Sequence, residues 1–327
     1  MMKAVFVDNY GLMDSTKEKE AFAKEGITFV DVNVQNDEEL LAHCKDADAV
    51  LVMLYKFPRQ IVEQLEKCKV IVRYGIGYDN VDVEACSEKG IAVCNIPDYC
   101  FEEVAGHAAA LALDCLRQVT LRDRHIRKGE WLFGGAGKYQ VRRFSTLTYG
   151  LCGFGHIARQ TAQYMKGFGF DMIAHDPYLA DEVFEQNGVR KVSMEELCKT
   201  ADIISVHVPL SAETRYLINK DKFAMMKKGV IIVNTSRGPL INQSDLLDAM
   251  DAGIVKAAGL DVLETEPLTD LNDRIFQYEN VVLTPHFAFH SEESFEELRD
   301  KVIASAVTVL RGEIPKNAVN KKALTGK

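Results

Sequence analysis

Gly150-Leu151-Cys152-Gly153-Phe154-Gly155-His156-Ile157-Ala158 closes a strand-like run and opens an amphipathic stretch in which Ile157, Thr161 and Met165 lie four apart. Glycines at such a turn let backbone N–H groups and a helix N-terminus approach a pyrophosphate with no side chain in the way. Ala158 stands at the third small position, where a methyl still permits close helix–strand packing. Alone the motif is weak, because glycine turns also serve packing. Asp176 strengthens it: about twenty residues on, at the end of the next strand, a carboxylate accepts from ribose hydroxyls and repels a 2′-phosphate. Gly153, Phe154, Gly155, His156, Ile157 and Asp176 are therefore candidate contacts to a dinucleotide, with NAD favoured over NADP. A loop histidine such as His156 touches the pyrophosphate or is simply exposed.

The same alternation extends outward in both directions. Candidate strands Thr146–Cys152, Asp171–His175, Ile203–His207, Val230–Asn234, Ala257–Val262 and Val281–Thr284 are separated by helical patterns. Six such strands match a doubly wound nucleotide-binding sheet. An earlier series, Ala4–Asp8, Thr28–Val32, Ala49–Met53, Val70–Arg73 and Ile91–Cys94, predicts a second parallel sheet, with helices at Gln60–Glu66 and Val83–Lys89. Long helices are expected at Phe101–Gln118 and Glu292–Arg311, and a polar, glycine-containing connection at Arg122–Ser145. Ser193-Met194-Glu195-Glu196 reads as a capping box, and Gly253 stops a helix that starts near Ser244.

The bulk properties exclude several classes. The chain has 327 residues, enough for two domains, and is 47% hydrophobic and 27% charged, so it builds cores. A net charge of −9 argues against a nucleic-acid partner, whose phosphates need a basic surface. No apolar run approaches the ~18 residues of a membrane span, and no leader-like pattern precedes the first strand. The eight cysteines are scattered without a Cys-x-x-Cys pair, which predicts free thiols, no bound metal and a cytoplasmic protein.

Open α/β sheets bind ligands beyond the carboxyl ends of their strands. Three late strand ends present Arg237, then Asp261 with Glu264 and Glu266 beyond it, then His286. Each has an ordinary alternative as a surface arginine, a loop acid or a core histidine. Together they suit reduction of a 2-oxo acid. A forked guanidinium clamps the carboxylate, an imidazole carries the proton, and an acid behind it favours the charged form. Spacing alone does not choose between Glu264 and Glu266. Arg73-Tyr74-Gly75-Ile76-Gly77-Tyr78-Asp79 also follows a strand, and its glycines either free N–H groups to face an anion or simply make a turn.

Five segments appear in a familiar order and spacing: Gly150 to Gly155, His207-Val208-Pro209-Leu210, Asn234-Thr235-Ser236-Arg237-Gly238, Gly259-Leu260-Asp261-Val262 through Glu266-Pro267, and Thr284-Pro285-His286. In them the chain resembles the D-isomer-specific 2-hydroxyacid dehydrogenase family over nearly its whole length. Pro97 to Ala105, His290 to Ser294 and the tail Gly312-Glu313-Ile314-Pro315 look most like the branch of the C-terminal-binding proteins. Two departures stand out. Val104-Ala105-Gly106-His107 has glycine where relatives usually have glutamate, and Phe289 stands where that branch tends to carry tryptophan.

The resemblance implies a catalytic trio of Arg237, Glu266 and His286. It implies a Rossmann domain over 100–290, inserted into a flavodoxin-like substrate domain made of 1–99 and 291–327, with two long helices at the hinge. Ile76, His207, Val208, Pro209, Thr214, Thr235, Ser236, Asp261 and Ala288 would line the cofactor. Tyr55, Arg73, Gly75, Ile76, Gly77 and Phe289 would meet a small 2-oxo or 2-hydroxy acid, and the chain would pair as a homodimer. The alternative the resemblance carries is an NAD(H)-sensing regulator that binds partner proteins.

Overall fold

The computed structural model describes residues 1–131, 133 and 140–326. The chain forms two compact units, Met1–Tyr99 with Ser291–Lys327, and Cys100–His290.

The first unit holds a parallel sheet of β1 (Lys3–Phe6), β2 (Thr28–Asp31), β3 (Ala49–Val52), β4 (Val70–Arg73) and β5 (Ala92–Cys94), in the order β2-β1-β3-β4-β5. That is the flavodoxin-like order, whose reversal lies between β1 and β3. The expected strand Ala4–Asp8 ends at Phe6, because Asp8 is fully buried and its carboxylate accepts from the N–H groups of Met53, Leu54 and Tyr55 at 2.5–2.7 Å. Burial pushes the Asp8 carboxyl above its ordinary value despite those bonds. The helix expected at Gln60–Glu66 is shorter, Arg59–Val62, and continues as turns.

Both chain ends build this unit. The edge of β5 is covered by the C-terminal segment: Val319 N donates to Val93 O, and Asn320 bonds Val93 N and Ile91 O. An edge so occupied offers no ladder to another chain. Helix Glu292–Leu310 is tied to helix Thr16–Lys24 by Arg299, whose Nε and Nη2 each lie 2.8 Å from the fully buried Glu18 carboxylate. Nη2 also donates to Asp14 O, so the guanidinium is well satisfied.

The second unit holds seven parallel strands in the order β12-β11-β10-β9-β6-β7-β8: β6 (Thr148–Cys152), β7 (Asp171–His175), β8 (Arg190–Lys191), β9 (Ile203–Val206), β10 (Val230–Asn234), β11 (Val255–Leu260) and β12 (Val281–Leu283). Read from β8 inward this is the doubly wound order with one added strand. The sequence reading gave six strands; β8 is two polar residues with no apolar signature. β9 and β10 are buried along their whole length, as a sheet covered on both faces requires.

Three further readings change. A helix at Val119–Arg127 replaces part of the expected connection Arg122–Ser145, whose residues 132 and 134–139 lie outside the described residues. Gln118 breaks the preceding helix at φ 60°, and Asp114 starts the new one by accepting from Thr120 N and Thr120 Oγ1. Ser193 accepts from Glu196 N, but the Glu196 side chain bonds Arg190 instead of returning, so the capping box is half formed. Helix His156–Lys166 buries Ala158, Thr161, Ala162 and Met165 and leaves Ile157 half-exposed. Ala158 and Ala162 share a core with Ala108 and Ala112, small residues that let this helix and Phe101–Arg117 approach closely.

The eight cysteines are free thiols. Among the described residues no helix is long and apolar enough to cross a membrane, and no cluster of side chains is arranged to hold a metal ion. Removing one partner of a buried ion pair strands the other. Glu18→Gln is therefore expected to cost about 3 kcal/mol and to lower the unfolding midpoint in thermal or urea denaturation, while Lys17→Gln, at an exposed pair, changes little.

Candidate active site

At the end of β6 the chain turns at Gly153, φ +92°, where a Cβ would come within 2.9 Å of the His207 backbone. Only glycine fits that contact between adjacent strands. Phe154 is buried and stacks on Phe184 at 4.7 Å, anchoring the loop. Gly155 differs: its φ is −68° and a Cβ there would meet no protein atom within 4 Å. Neither backbone nor packing asks for glycine at this point. Its bareness keeps open the N-terminus of helix His156–Lys166, which has no side-chain cap. Asp176, beyond β7, accepts from Phe154 N and Tyr178 N, both at 3.0 Å, so one carboxylate shapes both the Gly153–Gly155 turn and the loop after β7. His156 is exposed and its ring stacks on Phe101 at 5.1 Å.

His207 follows β9. Its Nε2 lies 2.8 Å from Ser205 Oγ, and burial pulls its pKa down to about 4, so the ring is neutral. Thr214 Oγ1 donates to Pro209 O and shapes the loop that carries Val208. Ser236 Oγ donates to Val206 O, whereas Thr235 Oγ1 is buried without a hydrogen-bond partner among the described residues. A buried hydroxyl without a protein partner is a group that a ligand atom can satisfy.

The trio lies on the same unit. Asn234, the last residue of β10, accepts from Ser236 N and donates to Arg237 O at 2.8 Å, fixing the loop of Arg237. A Cβ on Gly238 would fall 1.8 Å from Leu263 O, so glycine lets this loop lie directly against the one after β11. There Leu263 N donates to Glu266 Oε1 at 2.8 Å, and Glu266 Oε2 lies 2.8 Å from His286 Nδ1. Glu264 turns away to Tyr216 OH and Gln243 N. The two acids that spacing left equivalent are thus separated by geometry. Burial raises the Glu266 carboxyl pKa, but the bond with His286, its charge, the Leu263 N–H and the Arg237 guanidinium outweigh burial and hold it below its ordinary value. Arg237 Nη1 donates to Ser236 O.

His286 sits at φ +54°, uncommon for a side-chain-bearing residue, with its N–H on Asp261 O at 2.7 Å. Asp261 is buried and accepts from Phe287 N and Ala288 N, so its carboxylate is engaged by the chain itself. With Nδ1 on Glu266, Nε2 is the nitrogen without a partner among the described residues. Phe287 and His290 stack at 4.8 Å, and Phe289 meets His290 edge-on at 6.1 Å.

The remaining expected contacts belong to the first unit. Tyr55 OH donates to Asp37 Oδ1 at 2.8 Å, and burial with that acid pushes its phenol up to about 12. Arg73 Nη1 donates to Tyr74 O, and a Cβ on Gly75, φ +137°, would fall 1.7 Å from that nitrogen. Ile76 O accepts from Asn95 Nδ2, and Gly77 follows it. Asp8, His107 and Thr284 stand in segments the sequence singles out but are given no role in the site there; a lone acid at the end of an apolar strand is the available signal for Asp8.

Residues 109–288 match the family described as D-isomer specific 2-hydroxyacid dehydrogenase, NAD binding domain. The chain belongs to that family. With the family come the enzyme class, an NAD-dependent oxidoreductase, and the cofactor, NAD. A D-3-phosphoglycerate dehydrogenase of Methanocaldococcus jannaschii is 40% identical over 86% of this chain and 53% of its own length, so the chain spans about half of that relative. A hydroxypyruvate reductase of Blautia hydrogenotrophica is 33% identical over 98% of this chain and 100% of its own. The structure of an Aquifex aeolicus D-lactate dehydrogenase, complexed with NAD and lactic acid, superposes with a TM-score of 0.84 at 26% identity, covering 99% of this chain and 98% of that one. The bare Gly155 turn, the uncapped helix and the orphaned Thr235 hydroxyl fit the NAD of this family.

Two measurements follow. Gly155→Ala is expected to leave the unfolding midpoint unchanged or slightly higher while weakening NADH binding by on the order of tenfold, about 1.4 kcal/mol, read by fluorescence titration. His207, with its pKa lowered from 6.5 to about 4, binds its proton more readily unfolded than folded in that window. Its stabilising contribution is complete above about pH 6.5 and is lost as pH falls toward 4. His207→Gln flattens that part of the stability–pH profile.

Proposed function

We propose that the chain reduces a small 2-oxo acid to the (R)-2-hydroxy acid, and runs the reverse reaction when product accumulates, with His286 as proton carrier. The observation that carries this reading is the 2.8 Å bond between His286 Nδ1 and Glu266 Oε2, which leaves Nε2 to exchange a proton. When bound, NADH supplies the hydride. Protonated His286 gives its Nε2 proton to the carbonyl oxygen as charge develops there, which makes the product hydroxyl. Glu266 orients the ring and balances the imidazolium. Arg237, on the loop pressed against that of Glu266, takes the substrate carboxylate.

Cys100–His290 is proposed as the NAD-binding domain and the other unit as the substrate domain. Tyr55, Arg73, Gly75, Ile76, Gly77 and Phe289 are proposed to select the acid. Resemblance to the family supports a homodimer, and the eight free, scattered cysteines support a cytoplasmic setting.

His286→Gln is expected to lower kcat by roughly a hundred- to ten-thousand-fold with NADH affinity intact. Turnover at the wild-type rate would sink the assignment. NADH oxidation over glyoxylate, hydroxypyruvate, pyruvate and branched 2-oxo acids tests the reaction itself. Tight NADH binding with no turnover on any of them would favour a sensing role.

A further inference from the structure

The loop that presents His286 hangs from a line of side chains that the reaction above does not use. His107, in helix Phe101–Arg117, places Nε2 2.9 Å from Thr284 Oγ1. Thr284 Oγ1 lies 2.6 Å from Asp261 Oδ1. Asp261 takes the N–H groups of Phe287 and Ala288 on its carboxylate and that of His286 on its backbone carbonyl. Every residue from 286 to 288 is thus bonded to Asp261, and the carboxylate that does this is held from behind by Thr284. His107 Nε2 itself stands 3.5 Å from the same oxygen.

The direction of the line follows from proton counting. A carboxylate can only accept, so the single hydroxyl proton of Thr284 lies on its bond to Asp261. The lone pair left on Oγ1 must then accept from His107, so Nε2 of His107 carries hydrogen. Packing does not explain an imidazole here. Its neighbours on that helix face are Val104, Ala108 and Leu111, and leucine would fill the same space. What leucine lacks is a donor aimed at Thr284.

We infer that His107 is a positioning residue for the proton carrier: through Thr284 and Asp261 it holds the 286–288 loop, and with it His286 at φ +54° with Nδ1 on Glu266. The inference rests on the reading of His286 as the proton carrier.

A double-mutant cycle with turnover, NADH titration and thermal unfolding tests it. His107→Leu and Thr284→Val each break the same line, so each lowers kcat by about ten- to a hundredfold with NADH affinity unchanged. The double variant is no worse than the poorer single, because the second change removes nothing further. His107→Gln and Thr284→Ser, which keep a donor and a hydroxyl, restore most of kcat and separate misfolding from mispositioning. In the wild-type protein, nitrogen-15 NMR finds the proton of His107 on Nε2. Wild-type kcat in His107→Leu, additive losses in the double variant, failure of glutamine to rescue, a loss confined to NADH binding or an Nδ1–H ring would each overturn the inference. His286→Gln, run alongside, keeps the two readings apart. If it is inactive while His107→Leu is fully active, only the positioning role falls; if it is itself active, the proton-carrier reading falls with it.

Discussion

A parallel sheet with helices on both faces offers polar side chains one outlet, the loops beyond the carboxyl ends of the strands. Those loops leave regular pairing abruptly, and their N–H groups need acceptors. In both units the acceptor is a short acid or amide at a strand end, reaching sideways to a neighbouring loop. Asp8, after β1, takes the N–H groups after β3. Asp176, after β7, takes one from the loop after β6. Asp261, after β11, takes those after β12. Asn234 does the same work within its own loop. The candidate site is therefore built by backbone satisfaction first, and Arg237, Glu266 and His286 ride on loops already fixed.

Glycine completes this scheme in two distinct ways. At Gly153, Gly238 and Gly75 a side chain would collide with the protein's own backbone or guanidinium, so these glycines serve the fold and the approach of its loops. At Gly155 nothing in the protein would be touched. A glycine that the fold does not need, placed before an uncapped helix, marks space reserved for something else, and a pyrophosphate suits the exposed N–H groups.

The sequence exposed what is local or periodic. Buried runs such as Val230–Asn234 read as strands because both faces are apolar, and the Gly153–Asp176 spacing reads as a nucleotide turn because strand and helix lengths fix it. Features decided by a distant partner were hidden. Glu264 and Glu266 differ only in which loop they meet, a contact set by the closeness of Gly238 to Leu263. The helix Val119–Arg127 has one buried residue, Leu121, and starts on a carboxylate six residues earlier, so no apolar stripe announces it. The two-residue β8 is held by pairing with β7 rather than by its own composition.

The residues proposed for the chemistry and most of those proposed for selection lie in different parts of the chain. Arg237, Glu266 and His286 stand on three adjacent strand ends of one unit, braced by Asn234, Gly238 and Asp261, so their geometry is set within that unit. Of the residues proposed to choose the acid, all but Phe289 are in the other unit, where Tyr55 and Arg73 are already bonded to Asp37 and to Tyr74 O. A substrate group that engages them must replace those bonds with equivalents. An acid with a small polar substituent can do so; a purely apolar one that displaced Asp37 from Tyr55 would leave the phenol short of a partner, at a cost of about 1–3 kcal/mol. On the proposed function, selection turns on which acid repays that exchange, and the proton carrier proposed at His286 does not discriminate between them.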